Sequence, residues 1–271
     1  MTKTTQRISL LLTIFFAFLG QMANAQVANY VFSQSAGTYT PITGGTVLGT
    51  PGNDDNNFGT FPIGFNFTYN GVVYTQFGVN ANGFITLGTI PTNSYVSLSA
   101  GTSNNVVSAF NFDMQGDATT GDLQYSVVGT APNRTLVVQW TNYDDYESAL
   151  NGDSWSFQIR LSETSNQISV VYGTMTSDAL SNTVQVGLRG ASSADFNNRT
   201  TTTDWSASTA GLTNAATMTA STSVSPISGL TFTWSPPPPP TAPATLTFTS
   251  VTTTGMVLNW VDSSTNETGF Q

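Results

Sequence analysis

The side chains able to do chemistry in this sequence are carboxylates, tyrosines and arginines. Histidine and cysteine are absent, and the single lysine is Lys3. That removes Ser-His and Cys-His nucleophile pairs, Schiff-base and Ser-Lys chemistry, Cys/His zinc sites and disulfides. Nine of the 15 acids fall into three clusters: Asp54-Asp55; Asp113 with Asp117 and Asp122; and Asp144-Asp145 with Glu147 and Asp153. Glycoside hydrolysis needs two carboxyls ~5–9 Å apart across a cleft. All three clusters, however, are interleaved with Gly and Asn, where Asp commonly bonds its own backbone in Asx turns. No Asp-Thr-Gly or Asp-Ser-Gly motif occurs. The expectation is a chain that is not an enzyme, with no catalytic residue and no cofactor.

Two binding chemistries remain. Calcium takes 6–8 oxygen ligands, which acidic Asn/Gly loops can supply. Asp113, Asp117 and Asp122, flanking Gly116 and Gly121, are the first choice for such a site. Their spacing matches no EF-hand loop, and solvated turns are the preferred reading, so the metal question stays open. Tyr143, Tyr146 and Trp155 surround an acidic loop and could form an aromatic platform for a glycan. Against this, Trp155 has the parity of a core residue, and buried Trp is common in such cores.

The elements that must position these groups read as strands. Thr alone numbers 45, charged residues are 8% and hydrophobic residues 39%. Thr, Val and aromatic side chains suit a pleated, half-buried surface, and this apolar content is too high for a disordered chain. The clearest strand alternates Trp155, Phe157, Ile159 and Leu161, inward, with Ser156, Gln158, Arg160 and Ser162, outward and wet. Similar alternation marks Phe65–Tyr69, Leu136–Trp140, Val184–Leu188 and Leu230–Trp234, while the uniformly apolar Ile168–Tyr172 suits a central strand. Asn70-Gly71 and Asn82-Gly83 are hairpin signals. The Thr/Ser/Ala-rich stretch 197–226 reads as a long surface excursion with one short strand around Trp205; an O-glycosylated surface is the alternative. The fold class is all-β, an antiparallel sandwich or jelly roll.

The ends divide the chain further. Lys3 and Arg7, the apolar run Ile8–Leu19 and Ala23-Asn24-Ala25 have the three parts of a secretory signal, so 1–25 is expected to be a signal peptide cleaved after Ala25. Its 12-residue apolar run is short of the ~20 needed to span a bilayer. No membrane span is therefore expected in the mature chain, which is read as secreted, extracellular or at the cell surface. The formal charge is −9; without Lys3 and Arg7, four arginines face 15 acids, a net of −11. So acidic a chain lacks the cationic surface for nucleic acid. Pro236–Pro240 and Pro243 make 236–243 a stiff Pro-rich linker. The body is 26–235, and two alternating strands fall within 244–271.

Residues 61–88, FPIGFNFTYNGVVYTQFGVNANGFITLG, resemble the core motif of nidogen-like extracellular domains and their bacterial relatives. The likeness continues through Val107–Asp113, with Ala109 and Asn111 in place of the family's Pro and Trp. It then takes in Arg134–Trp140, Ser156–Leu161, Ile168–Gly173 and the closing Leu230–Trp234. Downstream, Pro243, Leu246, Trp260, Asn266-Glu267 and Gly269-Phe270 resemble the opening of a fibronectin type III domain. Such a domain needs seven strands, so 244–271 reads as incomplete and the sequence as a fragment of a longer polypeptide. The resemblance implies a secreted surface protein of the Bacteroidota type, with a non-enzymatic module for adhesion or for binding matrix, glycan or protein. The alternative is an accessory region of a large secreted hydrolase whose catalytic domain lies outside this sequence.

Overall fold

The computed structural model describes residues 26–146, 152–178, 180–238 and 241–263. The expected signal peptide, Glu147 and the Asn266–Phe270 turn lie outside them. The compact unit Ala25–Pro236 is a β-sandwich of two antiparallel sheets. In spatial order the first sheet is β1 (Val31–Ala36), β16 (Leu230–Ser235), β11 (Ile168–Thr176), β10 (Ser154–Ser162), β9 (Thr135–Asp145), β8 (Asp122–Val128) and β2 (Thr46–Gly49). A short β7 (Met114–Gly116) pairs with the far end of β9. The second sheet runs β14 (Thr209–Ala210), β13 (Phe196–Thr200), β12 (Asn182–Arg189), β6 (Val106–Asn111), β5 (Phe84–Leu87), β4 (Val72–Asn80) and β3 (Asn57–Tyr69). Beside it, β15 (Met218–Ala220) pairs with β12.

Alternation is what closes these sheets face to face. On β3, Ile63, Phe65, Phe67 and Tyr69 are buried while Gly64 and Asn66 are exposed. On β16, Leu230, Phe232 and Trp234 point into the same core. Each such side chain contributes roughly 1.5–3 kcal/mol on burial. Aromatic rings carry much of the contact: Trp140 stacks on Phe157 at 5.1 Å, and Phe110 lies 4.8 Å from Trp155. Their polar atoms also tie the layers together, because a buried N–H or O–H must find a partner. Trp140 Nε1 donates to Ala81 O (3.0 Å) in the loop between β4 and β5, and Tyr172 Oη to Ala109 O (2.9 Å) on β6, each reaching from the first sheet to the other layer.

The turn chemistry follows the sequence. Asn70 and Gly71 both take positive φ (53° and 74°), as a two-residue hairpin between β3 and β4 requires. Gly83 (φ 82°) closes the three-residue loop between β4 and β5, where a Cβ would lie 2.7 Å from Phe110 O.

Two expectations are corrected. The stretch 197–226 is no excursion: it contributes part of β13, then β14 and β15, and Trp205 sits in a 3-10 turn with its ring in the core. The outward face of β10 is not wet throughout, since Ser156 and Gln158 are buried beneath another segment. Separately, β17 (Ala244–Thr249) and β18 (Val257–Val261) form an antiparallel hairpin with Phe248 opposite Leu258, and the side chains of both strands are exposed.

Candidate functional site

Three carboxylates that are scattered along the chain, those of Asp54, Asp55 and Asp113, meet at one end of the sandwich. Asp54 forms a β-bridge with Gln115, and Gln115 in turn pairs with Asp144 at the end of β9. This brings Asp113 to Asp54 and Asp55, with one carboxylate oxygen of each within 4.8 Å of the others. Buried Asn82 organises the contact: its Nδ2 donates to Asp55 Oδ1 (2.8 Å) and its Oδ1 accepts from Met114 N (2.8 Å). Tyr95 Oη donates to Asp55 Oδ2 (2.9 Å). Asp54 Oδ1 is buried without a hydrogen-bond partner among the described residues. Burial, then the charge of Asp55, raises the Asp54 carboxyl above its ordinary value. These three acids have the oxygen chemistry of a hard-cation ligand set. Both oxygens of Asp55 are already engaged by protein donors.

The grouping expected from sequence is therefore corrected. Asp113 joins Asp54 and Asp55 rather than Asp117 and Asp122. Asp117 instead closes its own turn, with Oδ1 accepting from the Thr119 and Thr120 amides (3.0 and 2.7 Å) and hydroxyls (2.8 and 2.6 Å). Those bonds hold it well below the usual carboxylate range. Asp122 Oδ2 accepts from Gln124 Nε2 (2.6 Å). The aromatic platform is also corrected: Tyr143 and Trp155 are core residues, and Tyr146 alone of the three is exposed. Parity decides this, because Trp155 sits opposite Tyr143 on the inward face.

A different site lies on the outer face of the first sheet. Residues 37–45 cross that face as a strap over three glutamines in cross-strand register: Gln124 on β8, Gln139 on β9 and Gln158 on β10. Gly45 N donates to Gln124 Oε1 (3.0 Å) and Ile42 N to Gln139 Oε1 (2.9 Å). Gln158 Nε2 donates to Thr40 O (2.9 Å) and to Gln139 Oε1 (2.6 Å). The strap thus buries polar side chains that the sheet alone would leave in water.

Beside the strap is a cavity of about 560 Å³. Residues 40–43 form its wall. Its floor includes the register row Ser126, Val137, Arg160 and Ser169, running across β8, β9, β10 and β11. Val128, Thr135 and Ser162 make the next row. Arg160 donates from Nε and Nη2 to Gln158 Oε1 (2.8 and 2.6 Å), so the strap's own ladder aims the guanidinium. Burial lowers its pKa from the usual guanidinium value. Among the described residues no Asp or Glu lines the cavity. Nearby Glu163 is gripped by Arg134, whose Nε and Nη2 donate to its two oxygens (2.8 and 2.6 Å).

Comparison with known families matches the NIDO-related family over residues 29–236, from the 3-10 turn before β1 to just past β16. The chain belongs to the NIDO-related family. The match spans both the acidic end and the strap-walled cavity and stops short of β17 and β18. Comparison with curated proteins and with solved structures gives no match. In this NIDO-related domain no helix among the described residues is long and apolar enough to cross a membrane. Sequence reasoning identified the outward parity of Arg160 and missed its site, since the strap that walls the cavity has no periodic pattern. The one available signal was Gln124, Gln139 and Gln158, each at an outward position of its strand.

Proposed function

We propose that this NIDO-related chain is a non-enzymatic extracellular module that works by adhesion or surface architecture, holding an extracellular glycan or protein. The observation that carries this reading is the strap-walled cavity on a sheet face. It is a concave, preformed surface of hydroxyls, short apolar side chains and one guanidinium, with no carboxylate pair and no nucleophile–base pair in its lining. Asp54, Asp55 and Asp113 lie within one crowded group and Asp117 closes its own turn, which supports a non-catalytic role for these acids as well. The hairpin of β17 and β18 is compatible with the opening of a fibronectin type III module of a secreted surface protein, and prolines separate it from β16 in the sequence.

The test is to immobilise the chain and challenge it with arrays of extracellular glycans and matrix proteins, while assaying the glycans for cleavage. Retention of at least one class without turnover is expected. Cleavage of a glycoside, or retention of nothing across both arrays, would sink the reading.

A further inference from the structure

We infer that the cavity beside the strap is a subsite for a carboxylate-bearing saccharide, with the acid group on Arg160 and the sugar hydroxyls on the surrounding Ser and Thr side chains. This rests on the reading of the chain as a binding module and names its ligand class.

The charge pattern is the first argument. The formal charge of the chain is −9, yet this cavity has a guanidinium on its floor and, among the described residues, no acid in its lining. A guanidinium has five N–H donors. Gln158 Oε1 takes one from Nε and one from Nη2, which leaves Nη1 and the second Nη2 proton without an acceptor among the described residues. Two adjacent donors in a fixed plane match a carboxylate's two oxygens. The fork is preorganised, because Gln158 is itself held by Thr40 O and Gln139 Oε1. Acids of the opposite end do not compete: Arg160 is seven residues along β10 from Asp153, roughly 24 Å at the rise of a strand.

The lining supplies the second argument. Ser126, Thr135, Ser162 and Ser169 surround Arg160 on the sheet, and Thr40 and Thr43 face it from the strap. Each hydroxyl can both donate and accept, which suits a ring that carries several hydroxyls. Val128 and Ile42 give apolar patches beside them for C–H faces. From Ser126 to Ser169 the row crosses three strand spacings, about 14 Å, room for a short oligosaccharide. An acidic peptide suits the site less well. Peptides commonly add to an exposed sheet edge through main-chain bonds, whereas Arg160 stands on β10, which has β9 and β11 paired on either side.

The experiment is calorimetric titration of the chain with tetragalacturonate, with the same tetramer as its uncharged methyl ester, and with hexaglutamate. Tetragalacturonate is expected to bind, with the ester and hexaglutamate each at least tenfold weaker. Arg160→Gln should weaken tetragalacturonate at least tenfold and change binding of the ester far less. Ser169→Asp, which sets a carboxylate directly across from Arg160, should do the same without removing the arginine from its contacts. An ester that binds as tightly as the acid, or two variants that bind like the parent, would overturn the acidic-sugar subsite while leaving a binding module standing. Tighter binding of hexaglutamate would overturn the saccharide class. Absence of binding by all three probes would also overturn the subsite; the module reading fails separately, only if both arrays retain nothing.

Discussion

Asp144 and Asp153 sit in the acidic end with their carboxyls pushed up to about 6, chiefly by burial and then by the charges of neighbouring aspartates. A folded value above the ordinary 3.8 means that the native state binds the extra protons. Their stabilising contribution is therefore complete below about 4 and is lost as pH rises through about 6. Glu163, pushed down to about 2 by Arg134, acts in the opposite sense, but only below about 4.5. The melting temperature should thus rise on going from pH 7 to pH 5. Replacing both residues, Asp144→Asn with Asp153→Asn, should raise it at pH 7 by roughly 2–4 °C, the shift of about 1 kcal/mol in a domain of this size. The double variant should also flatten the pH dependence; an unchanged slope would refute the assignment. At this scale the sequence was only partly legible. Acidic clusters were visible, but which acids meet was not, because Asp113 reaches Asp54 through pairing between segments about sixty residues apart in the chain. Asp117, whose partners are two and three residues away, behaved as its local turn chemistry dictates.

Among the elements, β10 shows both what alternation reveals and where it stops. Its inward residues are all in the core, and Phe157 stacks on Trp140 of β9. Phe157→Ala should cost about 3–5 kcal/mol through lost burial and the cavity left behind, a fall in melting temperature on the order of 10 °C. A loss below a degree or two would mean that the pair is not part of a close-packed core. The outward side of β10 depends on a non-local segment. Gln139→Ala removes the acceptor for Ile42 N and Gln158 Nε2, at a cost of about 1–3 kcal/mol for groups left unpaired. Hydrogen exchange of the Ile42 amide should quicken markedly in that variant, with the amides of β9 far less affected; unchanged exchange at Ile42 would show that the glutamine ladder does not hold the strap. Strands with period-two runs and Asn-Gly turns were readable in advance. The strap, the 3-10 turn of Trp205 and the two- and three-residue strands β14 and β15 were not, since elements so short carry no period and are fixed by the sheets they join.

Taken as a whole, the NIDO-related sandwich is electrically divided along its strands. β9 begins just after Arg134 and ends on Asp144-Asp145, eleven residues and roughly 34 Å later. One end thus gathers carboxylates, and the cavity with Arg160 lies toward the other. The sandwich is a compact unit, Ala25–Pro236, so a chain ending at Pro236 should melt at the temperature of the full chain; a drop of several degrees would show that the later residues support it. The fold class and the family were legible because they rest on repeated aromatic strands and hairpin turns. The strap-walled face was not, because it is built from side chains of five strands and a strap that come together only in the folded molecule. The most direct test of the account is two-dimensional NMR of the 15N-labelled chain titrated with tetragalacturonate. Saturable shifts at the Arg160 Nε–H and at the strap amides of Thr40, Ile42 and Thr43 are the expected result. Shifts confined to the acidic end around Asp54, Asp55 and Asp113, or none at all, would contradict it.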